Sequence, residues 1–243
     1  MAKGSFATAE RSVKWALAHR AHCPRVLHEL VAAEHQAMDI SQQSAAARAL
    51  YEMPAAFDAI HRQLIADVVA PALQLGPLYL QGASTFRVFF SHAAGYPGAT
   101  SYHNDIMLGQ NPREVNVFVP LVRCEGGRSL LLAELSPSLA TLRRYDSDFA
   151  RFGRDTQGSA ALQQELEGIC RPLQVGVGDI VVSDSRCLHA APPNATPLTR
   201  VTFDTRVLPV AALAGQQNRY QCRGRRRASF AIGDCFTAEP VGG

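Results

Sequence analysis

The chain has 243 residues, of which 47% are hydrophobic and 19% charged, and its formal net charge is +3 at pH 7. This length predicts one domain (1–243) with a large core, and so mild a charge gives no reason to expect a nucleic-acid partner. No apolar run approaches the ~18 residues of a membrane span, and the first residues lack the apolar centre of a secretory signal. The six cysteines form no C-x-x-C pair, so we expect reduced thiols in a cytoplasmic protein without a membrane partner.

Residues 1–75 are predicted to form several helices. Alanine is abundant there, and large apolar residues recur at the spacing of an amphipathic helix. Pro24, Pro54 and Pro71 divide the region, because proline is tolerated at a helix boundary or in the first turn.

From residue 76 to 210 the sequence changes to short β-rich runs separated by glycine, proline, asparagine and aspartate. A weak apolar stripe predicts a helical insert at about 138–168. We therefore expect a mainly β fold with α: a jelly-roll-like barrel with the N-terminal helices packed on one sheet. The predicted strands are 85–90, 114–121, 129–134, 179–183 and 199–208.

The tail, residues 211–243, is polar from Gln216 onward and carries four arginines between residues 223 and 227. A solvated arm is the simplest interpretation. Docking to an acidic partner is an alternative, and residues 226–229 also match a basophilic kinase pattern, which is common by chance.

His103, Asp105 and His189 are the candidate metal ligands. Side chains at positions i and i+2 of an extended segment point the same way, so His103 and Asp105 can face one ion, and His189 is the only histidine after residue 103. Two imidazoles and one carboxylate on one face of an octahedral ion suit non-haem Fe(II). The alternative is that His103 lies in a solvated loop and His189 caps a turn.

Arg200 follows His189 at an interval that one hairpin can span, and a guanidinium there can hold the far carboxylate of a dicarboxylic cosubstrate. The predicted strand 199–208 alternates between an apolar face and a polar face, which predicts that it lines a wet cavity. Thr202 would donate beside Arg200. An exposed sheet face, with Asp204 and Arg206 as a surface ion pair, is the alternative. The polar face consists of Arg200, Thr202, Asp204 and Arg206.

Further candidates lie on the neighbouring predicted strands and loops. Asn116 is placed in the cavity, opposite an apolar face, where its amide can bond cosubstrate or substrate. Arg87 interrupts an apolar strand and, if buried, needs an anionic partner; an exposed edge strand explains it equally well. His92 and Tyr102 flank the loop before the metal ligands, where they can contact substrate or simply pack.

Taken together, these segments resemble the Fe(II)/2-oxoglutarate-dependent oxygenases. The resemblance covers roughly residues 85–209 and lies in the Tyr102–Asp105 segment, in residues 113–121, and in His189 with residues 199–209. Within that superfamily the pattern is similar to phytanoyl-CoA dioxygenases and most similar to the oxygenases of streptomycin-type biosynthesis.

The resemblance implies a double-stranded β-helix in which His103, Asp105 and His189 hold iron, and 2-oxoglutarate binds with its distal carboxylate on Arg200 and Thr202. It implies O2 as co-reactant and ascorbate as a candidate reductant. In similar proteins the strand bearing Glu134 carries cofactor or substrate contacts. Related halogenases lack the carboxylate ligand, so Asp105 argues against halogenation.

The expected reaction is oxidation, most simply hydroxylation, of a C–H bond in a small polar substrate, with succinate and CO2 as co-products. Substrate contacts are expected from a polar set of cavity side chains, namely Arg87, His92, Tyr102, Glu134 and Arg206. Two other classes remain open: a non-catalytic jelly-roll binding protein, and a cupin-like metal isomerase or hydrolase that does not use 2-oxoglutarate. Arg200 disfavours the last class.

Overall fold

A computed structural model describes residues 55–82, 85–90, 100–108, 110–146, 148–213, 236–237 and 239–242. The helices predicted before residue 55, the candidate residue His92 and the arginine-rich part of the tail lie outside the described residues. None of the helices in these ranges combines the length and apolar character that a bilayer span needs.

The first described element is a helical stretch made of α1 (Ala55–Leu64), a π-helical turn (Ile65–Val69) and α2 (Ala70–Leu73). Pro71 sits in the first turn of α2, directly after the π-helical turn. The stretch ends at Gln74, which adopts a left-handed conformation with φ 54°. Its buried face packs on the outer surface of a sheet, as predicted for the N-terminal helices.

Nine strands follow within the described ranges, all paired antiparallel. They are β1 (Leu78–Leu80), β2 (Thr85–Phe89), β3 (Thr100–His103), β4 (Val115–Pro120), β5 (Leu131–Leu132), β6 (Arg171–Pro172), β7 (Val181–Asp184), β8 (His189–Ala191) and β9 (Arg200–Pro209). The strand predicted at 129–134 shrinks to the two residues of β5, because a 3-10 turn (Gly126–Arg128) precedes it and a helix begins at Leu135.

The strands form two sheets. The major sheet has the order β1-β9-β4-β7, with β2 also paired to β9, and the minor sheet has the order β3-β8-β5-β6. β1 and β2 lie along the same side of β9 and pair with different parts of it, so they act as one broken strand. Counted as one strand, they give the strand order of an eight-stranded jelly roll, in which the chain alternates between the sheets except at β5 and β6, which both lie in the minor sheet. The expected fold class, mainly β with α in a double-stranded β-helix, is confirmed.

Three short helices lie between β5 and β6: α3 (Leu135–Arg143), α4 (Phe149–Gly158) and α5 (Ala160–Ile169). They correspond to the insert predicted at about 138–168. Asp148 and Ser159 cap α4 and α5, each accepting a backbone N–H in the first turn. The helices cover the outer face of the minor sheet through an apolar cluster built on Leu142, Phe152, Leu162, Leu166 and Leu188.

The end of the chain returns to the major sheet. Leu78 and Val241 exchange two backbone hydrogen bonds of 2.8 Å, and the Thr237 amide donates to Leu80 at 2.8 Å. Phe236 is 1% exposed and packs against Leu208. The solvated arm expected for the whole tail is therefore wrong for the described residues after 235, which cover the edge of β1.

Three of the cysteines fall within the described ranges, and all three are buried, free thiols. Burial raises the pKa of Cys124 and Cys187 to about 11 and that of Cys170 to about 12. Thiols this reluctant to ionise are poor nucleophiles, so we assign them to packing.

Candidate metal and cosubstrate site

The two candidate histidines meet across the minor sheet. His103 at the end of β3 pairs with His189 at the start of β8, and their ring centroids are 4.3 Å apart. Asp105 follows in a 3-10 turn (Asp105–Leu108). One ligand atom from each of the three side chains lies within 4.8 Å of the other two. The residues that the sequence singled out are therefore brought together.

Hydrogen bonds fix which imidazole nitrogen faces the cluster. Nδ1 of His103 is 2.7 Å from the Ser101 carbonyl, and Nδ1 of His189 is 3.0 Å from the Cys187 carbonyl. A carbonyl only accepts, so each Nδ1 carries the proton and each Nε2 keeps a free lone pair. Burial lowers the pKa of His103 to about 4, which keeps that ring neutral and able to bind a metal at neutral pH.

Both oxygens of the Asp105 carboxylate are held. Asn116 on β4 donates to Oδ2 at 2.6 Å, and Nη2 of Arg206 on β9 is 3.2 Å from Oδ1. Burial alone would raise the pKa of Asp105, but Arg206 and the two imidazoles outweigh burial and hold it well below its usual range. The carboxylate is thus an ionised ligand, and its Oδ1 is 3.9 Å from Nε2 of His189.

The three ligands open into a cavity between the two sheets, with about 620 Å³ of space that includes its mouth. One wall is polar and comes from the inward faces of β4 and β9, while the minor sheet contributes Leu130, Leu132 and Ala191 beside the histidines.

Arg200 stands at the start of β9 and is 1% exposed. Its guanidinium carbon lies 3.7 Å from the centroid of the Phe89 ring, and its Nε and Nη2 find no hydrogen-bond partner among the residues that the structure describes. Burial lowers its pKa to about 10, which still leaves it charged at neutral pH. The hydroxyl of Thr202, which is fully buried, also lacks a partner.

Buried donors without acceptors are expensive, and native proteins rarely keep them unless a ligand satisfies them. Arg200 and Thr202 lie two residues apart on one strand, so their side chains share a face. A carboxylate between them would accept from both. The donor set therefore fits the distal carboxylate of 2-oxoglutarate, and the three-ligand cluster fits a divalent iron.

The other candidate residues divide into two groups. Arg87 lines the cavity and forms an ion pair with Asp204, so it has an anionic partner within the protein. Arg206 also lines the cavity, but it pairs with Asp105 rather than forming a surface pair with Asp204. Tyr102 packs among the helices that cover the minor sheet, and Glu134 is exposed at the start of α3; neither lines the cavity.

Two residues near the site were not singled out by the sequence. Glu114, which precedes β4, is 1% exposed, and burial raises its pKa to about 7. The sequence did contain a signal for Glu114, because it shares one face of the predicted strand 114–121 with Asn116. Phe89 contacts the Arg200 guanidinium, and a phenylalanine in an apolar strand gives no signal of such a role.

No protein-family model matches the chain. A curated relative, the streptomycin biosynthesis protein StrG from Streptomyces griseus, is 23% identical over 186 residues, which is 76% of this chain and 69% of StrG. The predicted resemblance to proteins of streptomycin-type biosynthesis is therefore confirmed.

Some solved structures with a similar overall fold are named for iron or 2-oxoglutarate chemistry. The non-heme monooxygenase ThoJ, as a nickel complex, has a TM-score of 0.45 and 17% identity and is matched over 84% of this chain and 70% of its own. The epimerase SnoN, in complex with Fe3+, alpha ketoglutarate and nogalamycin RO, has a TM-score of 0.41 and 15% identity over 73% and 72% of the two chains.

AviO1 from Streptomyces viridochromogenes has a TM-score of 0.47 and 21% identity, with 66% of this chain matched and 64% of AviO1 spanned. At these levels of similarity the functional conclusion rests on the residues of the site itself.

Proposed function

We propose that this chain is an Fe(II)- and 2-oxoglutarate-dependent dioxygenase that hydroxylates, or otherwise oxidises, a C–H bond of a small polar molecule. Its co-products would be succinate and CO2, with O2 as co-reactant and ascorbate as an auxiliary reductant. His103, Asp105 and His189 would hold the iron, and Arg200 with Thr202 would bind the distal carboxylate of 2-oxoglutarate.

The observation that carries the proposal is a three-ligand cluster in the same cavity as a buried guanidinium with unmet donors. The cluster alone would equally suit a metal isomerase or hydrolase. Such an enzyme has no need for a buried cation that lacks an acceptor. A dicarboxylic cosubstrate held by the metal at one end needs a cation at the other, and Arg200 supplies one.

The charges around the site favour the binding of a divalent cation together with a dianionic cosubstrate. Three guanidinium groups, those of Arg87, Arg200 and Arg206, are close to three carboxylates, so the protein balances its own charge there when every group is ionised. A divalent cation alone would leave two positive charges in a poorly solvated cavity. A dianionic cosubstrate restores the balance. The three carboxylates are Asp105, Glu114 and Asp204.

When bound, iron would supply the activation of dioxygen that no side chain can provide. The chain's own residues would do the positioning. The imidazoles present Nε2 lone pairs, because their Nδ1 protons are tied to carbonyls. Leu130, Leu132 and Phe118 provide an apolar lining that limits water near the reacting groups.

For the substrate, we propose that the Arg87–Asp204 pair on the cavity wall supplies polar contacts. One oxygen of Asp204 has no hydrogen-bond partner among the described residues, so the pair can still accept a bond from a hydroxyl or amine. This favours a small hydrophilic molecule such as an amino acid, a sugar or an aminocyclitol. A substrate contact from His92 and a cytoplasmic location remain predictions.

The test is conversion of 2-oxoglutarate to succinate by the purified chain with Fe(II), ascorbate and a panel of small polar substrates. His189→Ala should abolish turnover and also the binding of Mn2+, a non-reactive substitute for iron. Arg200→Met should weaken 2-oxoglutarate at least about 30-fold, because it removes a charge-assisted partner. Arg151→Met, at an exposed arginine of α4, is the matched control.

Wild-type protein that binds Mn2+ but neither binds nor consumes 2-oxoglutarate would favour the isomerase or hydrolase class. Protein that binds neither metal nor 2-oxoglutarate would favour a non-catalytic binding role.

A further inference from the structure

The proposed metal ligand Asp105 is clamped by a cross-strand pair. Asn116 on β4 and Arg206 on β9 are register partners, and each holds a different oxygen of the carboxylate. Two directional contacts on two oxygens fix the plane of the carboxylate as well as its position.

This clamp has an electrostatic difficulty. The Arg206 guanidinium approaches the same oxygen, Oδ1, that lies 3.9 Å from Nε2 of His189 and so faces the metal position. A fixed positive charge beside a bound dication weakens metal binding unless a negative charge on its far side compensates it.

Glu114 lies on that far side. Its Oε2 is 3.9 Å from Nε of Arg206, and neither atom has a hydrogen-bond partner within the described part of the chain, so the two groups face each other without closing a bond. Its other oxygen accepts the Asn111 backbone N–H at 2.9 Å. Nη1 of Arg206 also donates to the neutral Gln81 side chain at 3.3 Å. Asp204 acts on the guanidinium electrostatically without forming an ion pair with it.

We propose that Glu114 is a positioning residue that sets the metal affinity of the site, by serving as the counter-charge that allows Arg206 to hold Asp105 beside a divalent cation. The inference rests on the proposed metal position at His103, Asp105 and His189. Glu114 acts through Arg206 and touches neither metal nor substrate.

The groups that face Glu114 determine how this counter-charge responds to pH. They are the Arg206 guanidinium from β9, the Asp105 carboxylate from the 3-10 turn and the backbone of Asn111. Burial raises the pKa of Glu114 to about 7, with Asn111 and Arg206 opposing that shift. A dication near Arg206 favours the ionised form, so metal binding should be coupled to proton release from Glu114.

A purely structural role is the competing explanation, because Glu114 also closes the turn at Asn111. Glu114→Gln separates the two, since a glutamine oxygen can still accept the Asn111 N–H but carries no charge. The experiment is calorimetric titration of chelator-treated, full-length protein with Mn2+, without 2-oxoglutarate, at pH 8 and pH 6. The control is Glu167→Gln, which removes the same charge from an exposed position on α5.

At pH 8, Glu114→Gln should bind Mn2+ about 10-fold more weakly than wild type, the usual size of an effect from a residue behind a metal ligand. Between pH 8 and pH 6, wild type should lose more affinity than the variant, because only wild type must deprotonate Glu114. Protonation of the histidine ligands is common to both proteins. Glu167→Gln should match wild type at both pH values.

Equal affinities of wild type and Glu114→Gln at both pH values would overturn the inference. An equal loss of Mn2+ affinity in Glu114→Gln at pH 8 and pH 6 would also overturn it, because a structural role predicts that result. If Glu114→Gln does not fold, Arg206→Gln tests the same coupling from the other side, and an unchanged pH dependence in that variant would overturn it. Wild type that binds no Mn2+ would instead refute the proposed metal site.

Discussion

The Arg200 guanidinium stacks on the Phe89 ring, with 3.7 Å between the guanidinium carbon and the ring centroid. The two residues are register partners on β9 and β2. Stacking engages the face of the guanidinium and leaves its edge, with Nε and Nη2, without acceptors from the described residues. The contact thus orients the hydrogen-bond donors while keeping them available for a ligand.

Replacing Phe89 with leucine should weaken 2-oxoglutarate binding while leaving metal binding intact. A desolvated cation–π contact contributes about 2 kcal/mol, and its loss frees the guanidinium to rotate, so we expect the dissociation constant to rise by up to roughly 30-fold. Calorimetric titration of Mn2+-loaded protein with 2-oxoglutarate measures this. Phe152→Leu, the same change in the buried helical cluster, is the control; equal losses in the two variants would contradict the stacking role.

Replacing Arg200 with methionine should stabilise the ligand-free protein. Burying a cation whose donors are unmet costs free energy, so its removal should raise the free energy of unfolding by roughly 1–3 kcal/mol, as measured by urea denaturation. Arg87→Met should do the opposite, because it leaves Asp204 without its partner. With Mn2+ already present, added 2-oxoglutarate should further stabilise wild type but not Arg200→Met. If ligand-free Arg200→Met is less stable than wild type, the Arg200 guanidinium is not an unsatisfied buried cation.

Acid should destabilise the metal-free protein partly through His61. This residue is 3% exposed beneath Phe203, and burial lowers its pKa from 6.5 to about 4, with Asp58 opposing the shift. A pKa below the unfolded value favours the neutral ring in the folded state. The stabilisation is therefore present above pH 6.5 and is lost as the pH falls toward 4.

Between pH 7 and 5, His61 should account for a loss of about 2 kcal/mol in the free energy of unfolding. Urea denaturation of wild type and His61→Gln at both pH values measures the difference. The two proteins should differ in pH dependence by this amount, since other groups titrate alike in both. Parallel pH profiles would show that the His61 pKa is not lowered.

Phe236 should anchor the returning tail. Phe236→Ala removes a side chain that is 1% exposed, and such changes typically cost about 3–5 kcal/mol of stability. Phe236→Leu should lose less than half as much. Hydrogen exchange at the Leu78 and Leu80 amides should accelerate in the alanine variant, because those amides pair with the tail. Unchanged protection there would contradict the edge-covering role.

Much of the candidate site followed from the sequence because strand alternation is a local property. The alternation along β9 predicted a polar inward face, and Arg200, Asp204 and Arg206 do line the cavity, while Val207 packs beneath the helical stretch. His103 and Asp105 are together as predicted, but the extended segment assumed for them is wrong, because β3 ends at His103 and Asp105 begins a 3-10 turn.

The partners of these side chains did not follow from the sequence. Arg206 was expected to meet substrate or to pair with Asp204 at the surface; instead it holds Asp105, because the register of β9 against β4 places it opposite Asn116. The tail was expected to be solvated, yet its last described residues pair with β1, and an unpaired edge has no signature in composition.

The sequence by itself determined the class of chemistry that the chain can perform, since ligand types, their spacing and the face they occupy are set by residue identity and backbone period. Only the tertiary structure decided which side chains meet: Glu114 faces Arg206, and Phe89 stacks on Arg200. Burial turns each of these into a strong interaction by removing water, and burial depends on how the two sheets and their strand registers come together.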